Sequence, residues 1–223
     1  MSDTAAQPVP PPRPAELAAY LAARMCHDFI SPASAIVSGL DLLDDPSAQD
    51  MREEAMNLIG SSARKLADML QFTRVAFGAS AAAETFDARV LETLAQGVFA
   101  HMRADLEWGV EPASVEKPAA RTLLNLAQLG GAALPTGGVT RIRAAQDPQG
   151  ALRIVVESQG PRSRLRPEVL AGLKGEGLPE GLHGHWVQAY YLHLIVRDAG
   201  GRLKAESNED KVTFAALLPA AAV

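Results

Sequence analysis

A single cysteine, Cys26, in 223 residues excludes an internal disulfide and fits a reducing cytoplasm. Aromatic side chains are scarce at 5%, so aliphatic residues and abundant alanine must supply most of the packing. No apolar run approaches the ~20 residues that a membrane helix needs. No basic segment followed by an apolar one opens the chain, so no secretory signal is expected. Positive charge is also in short supply, with 21 Lys and Arg against 26 Asp and Glu and a net charge of -5. No basic cluster offsets that balance, so neither nucleic acid nor a membrane is an expected partner. What is present is an ordinary globular composition, 48% hydrophobic and 21% charged, enough for one large or two modest domains. No repeat of fixed period is evident.

Residues 1–14 hold five prolines between Pro8 and Pro14 and little that packs, which predicts an extended or disordered lead-in. A long helix is expected over 15–43, with Pro32 bending it or loosening one turn. Asp44-Asp45-Pro46-Ser47 reads as a turn, with Ser47 or a neighbouring aspartate as N-cap. A second helix follows to about Phe77, with Ala55, Ile59, Ala63, Leu66, Leu70, Thr73 and Phe77 along one face and Gly78 as its stop. Two such helices form an antiparallel hairpin over 15–78, which has no interior of its own. Pairing two hairpins across a twofold axis makes a four-helix bundle, so a homodimer is expected. The competing arrangement packs the hairpin on the chain's own C-terminal half.

Ala79–Ala83 reads as a linker, and residues 85–223 mix helical and strand patterns. Helices are expected over 89–103, 118–129 and 186–198, the last burying Val187, Tyr190, Tyr191, Leu194 and Ile195 and ending at Gly200-Gly201. Strands are expected over 139–144, 152–157, 202–206 and 212–218. The fold class is therefore α+β, a helical hairpin followed by an α/β sandwich in two layers.

Within the first helix His27 stands in the run Met25-Cys26-His27-Asp28-Phe29-Ile30-Ser31-Pro32. At about 100° per residue, Met25, Phe29, Ile36, Leu40 and Leu43 fall opposite His27. Tyr20, Arg24, Ser31, Ser34 and Ser38 fall within about 60° of it. His27 thus lies in a polar stripe and points away from the apolar face. Neutral imidazole is a good nucleophile near neutral pH and a good leaving group, which suits transient phosphorylation through Nε2. Asp28 either accepts a hydrogen bond from Nδ1–H and steadies the charge on the ring or is a solvated acid; because neighbours on a helix diverge by about 100°, it must curl back to reach the ring. Arg24 either meets phosphate oxygens or solubilises the helix. Ser31, Ser34 and Ser38 either let a partner helix lie close or are ordinary exposed serines.

The segment from His27 to Pro32 resembles the H-E/D-x-x-x-P box of histidine-kinase dimerisation domains. The C-terminal half is similar in layout to the ATP-binding domain of those kinases. Arg121 to Leu126 resembles the helix of the N box, Val155 to Pro161 occupies the place of the D-x-G-x-G box, and Trp186 to Leu203 resembles the closing helix-GG-strand. The boxes are eroded: the second N-box asparagine aligns with Leu129, the adenine-reading acid with Ser158, and the last glycine with Arg162. The phosphate loop is reduced to Gly181-Leu182-His183-Gly184-His185-Trp186, with little backbone free to cradle a triphosphate. A kinase-like hairpin joined to a degenerate ATPase-like domain resembles the ChpT-type histidine phosphotransferases of alphaproteobacteria, over nearly the whole chain after Pro14.

That resemblance implies an enzyme of a phosphorelay that binds no cofactor and no metal itself. His27 is the expected phosphoacceptor, Asp28 orients or charge-stabilises its ring, and Arg24, Ser31, Ser34 and Ser38 are expected to meet a docked receiver. The implied partners are a second copy of the chain, the receiver domain of a CckA-like hybrid histidine kinase, and CtrA-like and CpdR-like response regulators, with Mg²⁺ held by the receiver. Alternatives are an ATP-dependent histidine kinase with a diverged pocket, a scaffold that only binds response regulators, and a phosphatase using Ser31 to orient water. The other candidates are weaker. Cys26 is expected to be a small packing residue, His183 and His185 to be loop residues without metal partners, and His101 and His193 to lack any partner pattern.

Overall fold

The computed structural model describes residues 10–78, 84–177 and 184–220. Most of the lead-in, the Ala79–Ala83 linker and the Gly181–His183 part of the reduced loop lie outside them. Helix α1 runs over Pro14–Asp44 without a break at Pro32, whose ring is buried. Asp45 then caps a 3-10 segment over Pro46–Met51 that is kinked at Ala48, its carboxylate accepting from the Ser47 amide at 2.8 Å. Of the two capping alternatives, the aspartate caps this segment, while the second helix itself starts after Met51 with no side-chain cap. Helix α2 covers Arg52–Ala76 and returns antiparallel to α1. The two helices approach closely at Gly39, where a Cβ would lie 2.6 Å from Ile59 Cγ1 and 3.1 Å from the Ala55 carbonyl.

The remaining elements are β1 (Thr85–Asp87), α3 (Ala88–Phe99), β2 (Ala104–Val110), β3 (Ser114–Glu116), α4 (Lys117–Ala132), β4 (Gly138–Gln146), β5 (Leu152–Gln159), α5 (Pro167–Lys174), α6 (Gly184–Asp198), β6 (Arg202–Asn208) and β7 (Lys211–Leu218). The main sheet has the order β2-β4-β5-β7-β6, with β2 parallel to β4 and every other pair antiparallel. A parallel pair requires a crossover, and α4 with the short β3 provides it. The minor β1–β3 ladder aligns Phe86 with Val115.

Alternation along β4, β5 and β7 sends Ile142, Ala144, Ile154, Val156, Val212, Phe214 and Ala216 inward. They pack on α4, which is buried almost all round through Leu123, Leu124, Leu126 and Ala127. The opposite sheet face carries Arg141, Arg143, Arg153 and Glu157. The result is the two-layer α/β arrangement expected after the hairpin.

The hairpin is not isolated from that sandwich. Phe72 and Ala76 near the end of α2 belong to the main core, and Leu17, Tyr20 and Leu21 of α1 pack on Trp186 and Tyr190 of α6. The competing arrangement, packing on the chain's own C-terminal half, therefore holds for these segments. The face assigned to α2 is accordingly mixed: Ala55 is buried, but Ala63 and Leu70 are exposed. Leu40 of α1, expected on the apolar side, is 48% exposed.

Candidate functional site

Helix α1 carries the site because nothing interrupts its geometry between Arg24 and Ser38. Pro32 has no amide hydrogen to give the Asp28 carbonyl four residues earlier, so that carbonyl lacks its helical donor. The His27 side chain is 88% exposed, as its helical phase predicted. Its Nδ1 lies 3.4 Å from Asp28 Oδ1, so Asp28 does curl back towards the ring. The other carboxylate oxygen, Oδ2, lies 3.5 Å from Arg24 Nε, one turn earlier. One carboxylate thus bridges a guanidinium and an imidazole.

Arg24, read from sequence as a receiver contact, is turned inward instead. Its side chain is only 12% exposed, and Nη1 donates to the Gly184 carbonyl at the start of α6. Burial pushes its guanidinium below the ordinary value, while Asp28 pulls it back up. The physical reason for the inward turn is α6 itself. Trp186, 4% exposed, stacks on Tyr190 at 5.0 Å and meets Tyr20 edge-on at 6.4 Å, and its Nε1 donates to the Glu176 carbonyl at 2.9 Å. These contacts bring the first turn of α6 against α1 beside Arg24.

His185 enters the same neighbourhood. It is a half-buried residue of the first turn of α6 and not a loop residue. Its pKa is lowered by burial and by the cations Arg166 and Arg24, against opposing pulls from Glu168 and Asp28. Neither Gly184 nor His185 was legible as a site residue, because 157 positions separate Asp28 from His185 and no local pattern links them. Ser31, Ser34 and Ser38 are exposed on the His27 side. Cys26 is exposed too and is no packing residue. His101 pairs through Nε2 with Asp68 Oδ2 at 2.8 Å, and His193 Nδ1 lies 3.0 Å from the Leu173 carbonyl. Both were expected to lack partners.

The positions that resembled nucleotide boxes are engaged in packing. Asn125 is fully buried: its Nδ2 donates to the carbonyls of Ala76 at 3.0 Å and Arg121 at 2.9 Å. Its Oδ1 accepts from Gln188 Nε2 at 3.2 Å, and Gln188 also donates to Gln128 Oε1 at 2.7 Å. Tyr191 Oη donates to the Phe77 carbonyl at 3.3 Å and Arg121 Nη2 to that of Gly78. Three successive carbonyls at the end of α2, which a helix leaves without internal donors, are thereby satisfied from α4 and α6. Ser158 is buried with its Oγ 3.3 Å from Thr140 Oγ1. Among the described residues no group of three or more His, Cys, Asp and Glu could hold a metal ion, and no helix is long and apolar enough to cross a membrane.

Comparison with known proteins fits this arrangement. The family model described as histidine phosphotransferase C-terminal domain matches residues 88–211. The protein phosphotransferase ChpT of Brucella abortus (strain 2308) is 34% identical over 205 residues, covering 90% of this chain and 95% of the relative. A solved structure of a bacterial phosphotransferase superposes with a TM-score of 0.83 at 32% identity, covering 94% of this chain and 98% of that one. With an α/β sandwich behind a histidine-bearing hairpin and these matches along nearly its whole length, the chain belongs to the histidine phosphotransferase family.

Proposed function

We propose that the chain relays a phosphoryl group between receiver-domain aspartates through His27, without using ATP itself. The observation that carries this reading is the exposed imidazole on α1 whose Nδ1 faces a carboxylate at 3.4 Å. With Nδ1–H directed at Asp28, Nε2 holds the free lone pair. That pair attacks phosphorus of an aspartyl phosphate in line. The P–N bond forms as the P–O bond to the aspartate breaks, and the aspartate leaves as a carboxylate. The positive charge then on the ring lies beside Asp28. Onward transfer reverses these steps: a second receiver's carboxylate attacks, and the P–N electron pair returns to Nε2.

Positioning and charge neutralisation dominate phosphoryl transfer, and Mg²⁺ for it belongs to the receiver. The partners we propose are the receiver of a CckA-like hybrid histidine kinase upstream and CtrA-like and CpdR-like response regulators downstream, meeting a homodimer of this chain. Exposed Ser31, Ser34 and Ser38 supply a surface of small side chains beside His27 for a docking helix. The engaged amide of Asn125 and the inward Ser158 support the absence of an ATP step.

The test is transfer from a purified, phosphorylated receiver domain. Label is expected to move to the wild-type chain and to be lost in His27→Ala. Labelling from ATP alone, with no receiver present, would instead establish a kinase. Phosphate flow that survives His27→Ala would establish a scaffold.

A further inference from the structure

Arg24 holds an unusual position for a charged residue on a helix that presents its neighbour to solvent. Three residues before a phosphoacceptor that is 88% exposed, its own side chain is 12% exposed. Drawing a guanidinium out of water is costly unless its donors are met. Here Nη1 donates to the carbonyl of Gly184, the first residue of α6, and Nε forms an ion pair with Asp28 Oδ2 at 3.5 Å on its own helix. The i, i+4 spacing puts Arg24 and Asp28 on one side of α1, whereas Asp28 and His27 diverge by about 100°. Left alone, the Asp28 side chain has no reason to prefer the rotamer that reaches His27. The guanidinium fixes Oδ2, and a planar carboxylate fixed at Oδ2 presents Oδ1 to Nδ1.

We infer that Arg24 is a positioning residue, one that acts through Asp28 to hold His27 in the Nδ1–H tautomer and that is itself held by the seating of α6. This rests on the relay reading for its kinetic consequence, but the tautomer does not depend on any phosphate donor. The Gly184 carbonyl ties the arrangement to the sandwich: a hairpin without α6 against it would leave Arg24 free to swing into solvent and Asp28 free to leave the ring. Trp186, stacked on Tyr190 and edge-on to Tyr20, keeps that end of α6 in place.

The experiment uses the full chain in four forms besides wild type: Arg24→Gln, Arg24→Lys, Asp28→Asn and the Arg24→Gln/Asp28→Asn double variant. Maximal rate and receiver concentration at half-maximal rate are measured for transfer from a phosphorylated receiver. Arg24→Gln is expected to lower the maximal rate about tenfold with half-saturation unchanged, the scale of a slight misplacement of a reacting group. Arg24→Lys, which restores the charge beside Asp28, should recover most of the loss. In the Asp28→Asn background, Arg24→Gln should cost less than about twofold, because residues acting through one another are not additive. A raised half-saturation with unchanged maximal rate, or full additivity, would overturn the inference and return Arg24 to receiver contact or general stability. In parallel, long-range ¹H–¹⁵N spectra of the unphosphorylated chain read the His27 ring directly. Wild type should show Nδ1–H, and Arg24→Gln a mixture of tautomers. If no receiver phosphorylates even the wild-type chain, the relay reading falls, and the spectra alone decide: an unchanged tautomer in Arg24→Gln sinks the inference, a mixture sustains it.

Discussion

Half-buried in the first turn of α6, His185 loses hydration and faces the cations Arg166 and Arg24, and both effects hold its pKa below the ordinary value; Glu168 and Asp28 oppose them more weakly. Folding therefore favours the neutral ring. Below the ordinary histidine pKa of about 6.5 the unfolded chain binds a proton that the folded chain resists, so stability rises with pH across that window. The contribution is complete above about pH 6.5 and is lost as pH falls through the lower folded value. Thermal melts of the wild-type chain between about pH 7.5 and 5 should show a decline on acidification, and His185→Gln should flatten it. An unchanged slope in His185→Gln would assign the acid sensitivity to other groups. The same titration places a second positive charge beside Arg24, so it bears on the site as well as on the fold. Nothing in the sequence marks His185 for this role, since its environment comes from α1 and from Arg166 and Glu168, all distant along the chain.

At the scale of elements, the end of α2 shows how residues that resemble a ligand-binding box serve a structural purpose. Asn125 joins α2, α4 and α6 through three side-chain hydrogen bonds, and replacing it with alanine leaves the Ala76 carbonyl and one Gln188 hydrogen without partners in a buried setting. Such orphaned groups cost about 1–3 kcal/mol. Asn125→Ala should therefore lower the melting temperature by several degrees, at roughly 2–4 °C per kcal/mol for a chain of this size. His27 should still accept phosphate from a receiver, because Asn125 touches none of the reacting groups. Loss of transfer in a variant that still melts cooperatively would count against this division. The long helices and the alternating strands β4, β5 and β7 were legible because one periodicity runs through each of them. Strand β2 and helix α5 were not. Ala104–Val110 exposes Asp105, Glu107 and Gly109 on one face, and Glu107 carries an ion pair to Arg141 that only the parallel β2–β4 pairing creates. Pro167–Lys174 is too short for its apolar spacing to stand out, and it packs on α6 through Gly172, where a Cβ would lie 2.7 Å from the Trp186 carbonyl. His27 and Asp28 were legible because helical phase is local. The link from Arg24 to Gly184 was not, because it exists only after the two halves of the chain meet.

Across the whole molecule, the hairpin presents an apolar seam that the protomer leaves uncovered. Ile30 is 63% exposed, Val37 56% and Leu40 48% on α1, and Met56 is 54% and Leu70 48% exposed on α2. With Ala33, the α1 residues recur at spacings of three, four and three. On α2 the series Met56, Ile59, Ala63, Leu66, Leu70 and Thr73 alternates three and four throughout. That is the heptad spacing of helices that pack side by side at a shallow angle. Phe72 and Ala76 of α2 leave this series and enter the chain's own core, so one helix carries two apolar faces, one covered and one open. A second copy of the hairpin is the occupant we propose for the seam, since its twofold partner presents the same spacing and closes a four-helix bundle. Leu70→Glu puts a carboxylate into that seam, where pairing would strip it of water with no cation supplied. Sedimentation equilibrium should then give twice the chain mass for wild type and the single chain mass for Leu70→Glu. Leu217→Glu is the control: Leu217 is 44% exposed but lies on strand β7, away from the hairpin, and its variant should remain dimeric. A wild-type chain that sediments as a monomer would refute the dimer directly. Dissociation by both variants alike would place the interface elsewhere and leave the hairpin seam unexplained by self-association.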